Sequence, residues 1–161
     1  MDNQHQPKLS ELLNDFDTAV LVTHAERKIH ARPMRVVSIE GSQIVFVTGI
    51  NSSKADEIAA NPDIGLIFQA SKKHVVVNGK ATIIKNRVLI DELWSETWRV
   101  WFPQGKDDPN ICLISITANE AEYWDNSGIE GLKYIFSAAA AYFKGQTPDI
   151  DNEQHGKLKL G

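Results

Sequence analysis

Arg32, Ser53 and Lys54 are the residues whose chemistry and spacing point most directly to a ligand. Arginine offers a planar fork of donors and lysine a compact ammonium, and both suit oxyanions. The segments on either side of Glu40-Gly41-Ser42 alternate in polarity and are rich in β-branched residues, as two paired strands are. Reflecting the pairing about Gly41 sets Met34 opposite Thr48 and leaves Arg32 beside the end of the second strand. The chain continues Asn51-Ser52-Ser53-Lys54-Ala55-Asp56, which reads as a helix start with Ser53 as its hydroxyl cap and a carboxylate three residues on. A guanidinium, an ammonium, small hydroxyls and the open N–H groups of a helix N-terminus therefore converge on one place, and together they describe a phosphate site. Pro33 adds to this, because a proline within a strand marks an edge or bulge where backbone can meet a ligand. Taken singly, each residue also has a plainer reading. Ser53 caps a helix, Lys54 is solvated, and Arg32 pairs with a surface carboxylate.

The elements that must position these residues follow from periodicity. Residues 1–7 read as disordered, and Lys8 to Asn14 as a short helix with Leu9, Leu12 and Leu13 on one face. Strands are expected at 18–24, 30–39, 43–48, 64–69 and 74–84, with a turn at Glu26-Arg27-Lys28 and a helix over 53–60 ended by Asn61-Pro62-Asp63. Gly79 marks a bulge or close approach. Ile90, Trp94, Trp98 and Trp101 recur at helical spacing and predict one helix over 88–102. Two strands, 111–117 and 120–124, a terminal alanine-rich helix over 128–143 and a polar tail over 144–161 complete the chain. Antiparallel neighbours with tight turns and few helices predict a mainly β fold, a barrel with peripheral helices. The chain reads as one domain over 8–143, with no linker and no repeat.

Composition narrows the functional classes. A net charge of −4 argues against a nucleic-acid binder. The single cysteine, Cys112, excludes an intramolecular disulfide; it lies in an apolar strand as an expected buried, inert thiol, and a reducing cytoplasm fits. The polar start and the lack of a long apolar run predict neither a secretion signal nor a membrane span. The five histidines lack paired metal-ligand spacing, so no metal site is expected. Asp107-Asp108-Pro109 reads as a solvated loop or helix cap. No G-x-G-x-x-G, Walker loop or G-x-S-x-G elbow occurs. The cluster Trp94, Trp98, Trp101 and Phe102 either packs on the barrel or forms an interface or lid over a ligand.

Four segments in order carry a family resemblance: Arg32-Pro33-Met34; Ser53-Lys54-Ala55-Asp56-Glu57-Ile58-Ala59-Ala60-Asn61-Pro62 with the apolar strand after it; His74 to Ala81 with Gly79-Lys80-Ala81; and Glu122-Tyr123-Trp124. Together they resemble the pyridoxamine 5′-phosphate oxidase-like split barrels that bind flavin mononucleotide (FMN), within them the bacterial general stress protein subgroup. The resemblance covers about residues 8–143. It implies that Arg32, Lys54 and Ser53 hold the flavin phosphate, and that Pro33, Met34, Val47 and Thr48 line the ribityl chain and ring edge. His74 stands where the family often offers a polar group to the ring, although the family's commoner glutamine is absent. Trp124 would reach the flavin of a partner subunit, since family members are homodimers with sites at the interface.

One departure bears on activity. The oxidases proper carry an arginine-x-histidine pair soon after that tryptophan, whereas Asp125-Asn126-Ser127-Gly128 follows here and the last arginine is Arg99. A phosphorylated vitamer would lack its clamp. The resemblance implies an FMN-binding protein, with the adenine dinucleotide FAD an alternative because it also presents a phosphate. If the protein is an oxidoreductase, the flavin exchanges electrons or hydride with a nicotinamide or a small oxidant. No side chain stands out as a catalytic acid or base. The alternatives are a flavin-binding or sensing module without turnover, and a cofactor-free barrel that binds a protein partner.

Overall fold

The computed structural model describes residues 8–127, Gly145 and residues 155–160. Strands β1 (Thr18–Ala25), β2 (Lys28–Glu40), β3 (Gln43–Gly49), β4 (Asp63–Gln69), β5 (Lys73–Ile84), β6 (Ile111–Asp125) and β7 (His155–Lys159) form one antiparallel sheet in the order β3-β2-β1-β4-β5-β6-β7. A further β3–β6 ladder, from Gln43 opposite Thr117 to Gly49 opposite Ile111, closes β1 to β6 into a barrel. The mainly β barrel expected from the sequence is thus present. Closure removes the free edges that an open sheet would expose. Helices α1 (Leu9–Leu13), α2 (Ser53–Ala60) and α3 (Arg87–Leu93) are peripheral.

Alternation divides the apolar residues between two cores. Leu21, Ile44, Phe46, Leu66, Phe68, Val75, Val77, Ile114 and Ile116 fill the barrel, and Leu9, Leu12 and Leu13 of α1 join them. Val45, Ile111 and Leu113 lie on the opposite face and pack with Ile90, Trp98 and Phe102 in a second cluster. Buried on both faces, β3 is a nearly continuous apolar run rather than a strict alternation.

The β2–β3 hairpin starts from Glu40 opposite Gln43, with Gly41 at φ +59°. A bulge between Val36 and Ser38 then shifts the ladder, so that Val36 faces Phe46. The β2–β3 pairing ends there, so Met34 and Thr48 lie beyond it; Met34 pairs with Ala19 of β1 and Thr48 with Cys112 of β6. The preceding turn, between Ala25 and Lys28, uses Glu26 (φ 48°) and Arg27 (φ 71°) in the left-handed region.

Three expectations need correction. The helix over 88–102 is two elements: α3, capped by the Asn86 side chain, and a 3₁₀ turn over Glu96–Val100. Trp94 is extended (ψ 134°), and the Ser95 side chain accepts from the Thr97 N–H to start the second element. A serine that caps a new turn competes with helix continuation, which the tryptophan spacing concealed. The strands at 111–117 and 120–124 are one strand, β6. Its irregularity opposite Asn78 and Gly79 is absorbed by a bulge, with Asn78 paired to Glu120 and Gly79 to Ala118. A Cβ on Gly79 would lie 2.4 Å from the Thr117 carbonyl oxygen, so the close approach read from the sequence is real. Within the polar tail, His155–Lys159 forms β7, which pairs with β6 from Glu120 to Trp124, beyond the end of the β3 ladder. The expected disordered start and terminal helix lie outside the described residues.

Candidate functional site

Arg32 projects from β2 toward α2 and is engaged. Its guanidinium donates to Thr23 Oγ1 (2.5 Å) and to Glu57 Oε2 (2.5 Å), while the Thr23 hydroxyl also donates to Glu57. His30 Nδ1 reaches the other carboxylate oxygen at 2.6 Å. Glu57 is buried. Burial alone would raise its pKa, but the hydrogen bonds from Thr23, His30 and Arg32 and the arginine's charge overcome this and bring it down to about 2. The plainer reading of Arg32, pairing with a carboxylate, therefore describes its contacts, with the difference that the carboxylate is buried. Glu57 was missed as a partner because its helical position hides that it faces β1 and β2 across the barrel end.

Beside this network lies a pocket of about 350 Å³, lined by Pro33, Met34, Arg35, Val47, Thr48, Gly49, Ser52, Lys54, Trp101, Phe102 and Asn110. That volume is within the range of small-molecule sites. Each element contributes something different. The β2 and β3 segments supply Met34 and Val47, and the start of α2 supplies Lys54. The chain after the 3₁₀ turn brings Trp101, 64% exposed, and buried Phe102. Thr48 Oγ1 and Ser52 Oγ are 3.2 Å apart. The N-cap of α2 is Ser52 and not Ser53, without a side-chain cap bond, so the lining hydroxyl comes one residue earlier than expected.

Lys54 makes no ion pair among the described residues. Burial first, and then the positive charge of Arg32, lower its pKa, against a smaller opposing effect of Glu57. Lys54 thus feels the charge of Arg32 as a second cation, which Glu57 offsets only in part, and Arg35 adds a further cation to the lining.

The loop before β6 completes the wall. Asn110 donates its N–H to Asp108 Oδ1 (2.9 Å), and its carbonyl accepts from Ile50 N–H (2.8 Å). Asp108, expected in a solvated loop, is buried. A Cβ on Gly49 would lie 2.9 Å from Asn110 Nδ2, so a larger residue there would displace this amide. Asn110 was absent from the sequence-based candidates. Its signal lay in the ladder between the end of β3 and the start of β6, which only barrel closure reveals.

Of the expected site residues, Pro33, Met34, Val47, Thr48 and Lys54 meet at the pocket. Arg32 and Ser53 are not among its lining residues. His74 and Trp124 are register partners across β5 and β6, at the far end of β6 from Asn110. Roughly 40 Å of strand separates Trp124 from that end. There Trp124 stacks on His155, with ring centroids 5.0 Å apart and planes 12° apart, and His155 Nε2 contacts Glu122 at 2.8 Å. Cys112 is buried, and burial raises its thiol pKa, which is the inert thiol expected. Among the described residues, no helix is long and apolar enough to cross a membrane.

Residues 4–149 match the family model described as pyridoxamine 5′-phosphate oxidase like, and the chain belongs to that family, in its general stress protein group. It is 32% identical over 114 residues to general stress protein 26 of Bacillus subtilis, an alignment spanning 68% of this chain and 80% of that protein. Among solved structures it resembles general stress protein 26 of Bacillus anthracis, with a TM-score of 0.65, 24% identity, and coverage of 71% of this chain and 89% of that one. It also resembles the general stress FMN/FAD binding protein of Xanthomonas citri, with a TM-score of 0.63, 24% identity, and coverage of 71% and 83%.

Proposed function

We propose that this chain binds FMN in the pocket between β2, β3 and α2, with the phosphate at Lys54 and the ring against Met34, Val47, Trp101 and Phe102. The observation that carries the reading is the half-buried Lys54, under the charge of Arg32, in the lining of an aromatic-walled pocket. An anion there relieves repulsion between two cations, and the open N–H groups at the start of α2 favour the same charge. Thr48 and Ser52 suit the hydroxylated chain between phosphate and ring. The residues present therefore fit a group with an anionic end, a polar middle and a flat apolar ring. The Xanthomonas citri relative's description as an FMN/FAD binding protein supports the same class of cofactor.

In this reading Arg32, held by Glu57 and Thr23, backs the phosphate site with fixed charge, and Ser53 contributes through the backbone at the helix start. The pocket lining carries no carboxylate and no histidine, so an acid or base for proton transfer is not supplied there. Bound flavin would supply redox chemistry, and the chain would bind and orient it. The protein is a homodimer in this proposal, as the family resemblance implies, with His74 and Trp124, which do not line their own pocket, reaching the partner's. Closed two-fold symmetry would bring the partner's copies to it twice. A cytoplasmic location fits the single buried thiol.

Absorption spectra and mass spectrometry of small molecules released from natively purified protein test the proposal. FMN at about one per chain is expected. Protein that neither carries flavin nor binds added FMN would refute it.

A further inference from the structure

Asn110 lines the pocket and carries an unused acceptor. Its Oδ1 is buried and has no hydrogen-bond partner among the described residues. The side chain cannot be dismissed as a loose surface amide. Its backbone is tied to Asp108 on one side and to Ile50 on the other. Arg87 holds the loop further by donating to the carbonyls of Asp108 (3.1 Å) and Lys106. Glycine at position 49 leaves the space that the amide fills. Buried polar atoms in native proteins are nearly always paired, so an exception in a residue that lines a pocket calls for a partner.

We infer that Asn110 is a ligand-binding residue that accepts a hydrogen bond from a hydroxyl of the cofactor's ribityl chain. This rests on the flavin reading and adds a contact to it. The chemistry of the acceptor selects the part of the ligand it meets. A carboxamide oxygen gains nothing from a phosphate, which at neutral pH offers acceptors in the main. A hydroxyl donates to it directly, and were the amide turned round, the same hydroxyl would accept from Nδ2. Thr48 and Ser52, on either side of the Gly49 turn, offer the complementary groups that a polyol needs.

The test compares three ligands on the full chain: FMN, riboflavin, which lacks the phosphate, and lumiflavin, which has a methyl group in place of the ribityl chain. Asn110→Ala is expected to weaken FMN and riboflavin by the same factor, about tenfold, and to leave lumiflavin unchanged. Asn110→Leu, of similar size and without polar atoms, should show the same pattern and guards against a loss caused by an unfilled space. Circular dichroism establishes that each variant is folded. Equal weakening of all three ligands, weakening of FMN alone, or no weakening at all would overturn the assignment. If the wild type binds none of the three, the flavin reading fails and this assignment fails with it. Binding of all three by wild type with an indifferent Asn110→Ala overturns only the assignment.

Discussion

Glu57→Gln should flatten the acid dependence of folding stability. Glu57 is the carboxylate on which Thr23, His30 and Arg32 converge, and its pKa stands at about 2 against an ordinary 4.5. A carboxyl depressed on folding stabilises the native state fully above its unfolded value and loses that contribution as pH falls through the folded one. Here the window runs from about 4.5 down to about 2. At about 1.4 kcal/mol per pH unit, the contribution at neutral pH has a ceiling of about 3 kcal/mol, of which about 2 kcal/mol is lost by pH 3. Glutamine keeps the shape and removes the charge. At pH 7 the variant should be less stable by roughly 1–3 kcal/mol, within the cost of unpairing a buried charge. Urea unfolding followed by tryptophan fluorescence at pH 7 and pH 3 measures both. The wild type should lose about 2 kcal/mol more than the variant between those values. Glu96, drawn down to about 2 by its hydrogen bonds from Arg99 and Trp94, is common to both proteins and cancels in the difference. Parallel losses in the two proteins would refute the account of the network.

Gly79→Ala should destabilise the barrel by about 1–3 kcal/mol in the same urea assay, because its Cβ meets the Thr117 carbonyl at 2.4 Å and that oxygen belongs to a strand. Gly41→Ala, a turn position with no neighbour within 4 Å, should cost about 1 kcal/mol through its positive φ alone. Trp124→Ala should weaken FMN binding from the partner subunit. Heterodimers formed with Lys54→Ala should then recover about one tight site, and calorimetry showing none in exchanged dimers would place Trp124 outside the flavin site. Oxidation of pyridoxamine 5′-phosphate should be negligible at saturating FMN, since no arginine follows Trp124. Formation of pyridoxal 5′-phosphate above about 1 per second, the low end of ordinary turnover, would show that other residues hold the substrate.

Local pattern was legible where one interaction dominates. Alternation placed β1 to β5, and the hydroxyl-lysine segment placed α2 at its observed bounds. The pocket walls at Pro33, Met34, Val47, Thr48 and Lys54 followed from hairpin reflection and from the family resemblance. What stayed hidden depends on contacts between distant segments. The charge on Arg32 is committed to Glu57, a pairing across 25 residues that no spacing rule encodes. Asn110 meets Gly49 only because β3 pairs with β6 to close the barrel. The strand over 155–159 is polar on one face, since it adds to an edge of β6 and buries only Leu158. Tryptophan spacing imitated a long helix because Trp98 and Phe102 face the outer core from a 3₁₀ turn and its exit, while Trp94 meets Trp98 edge-on at 5.6 Å.

Titration of wild type and Lys54→Ala with FMN and with riboflavin tests the central claim, that Lys54 makes this pocket a phosphate-anchored flavin site. A charged hydrogen bond is worth about 1.5–3 kcal/mol, so Lys54→Ala should weaken FMN roughly ten- to a hundredfold. Riboflavin, bound more weakly by the wild type, should be almost indifferent to the change. The wild-type preference for FMN should also decline as pH rises through the depressed pKa of Lys54, where the ammonium is lost. Equal affinity of wild type and Lys54→Ala for FMN, in folded protein, would contradict the account.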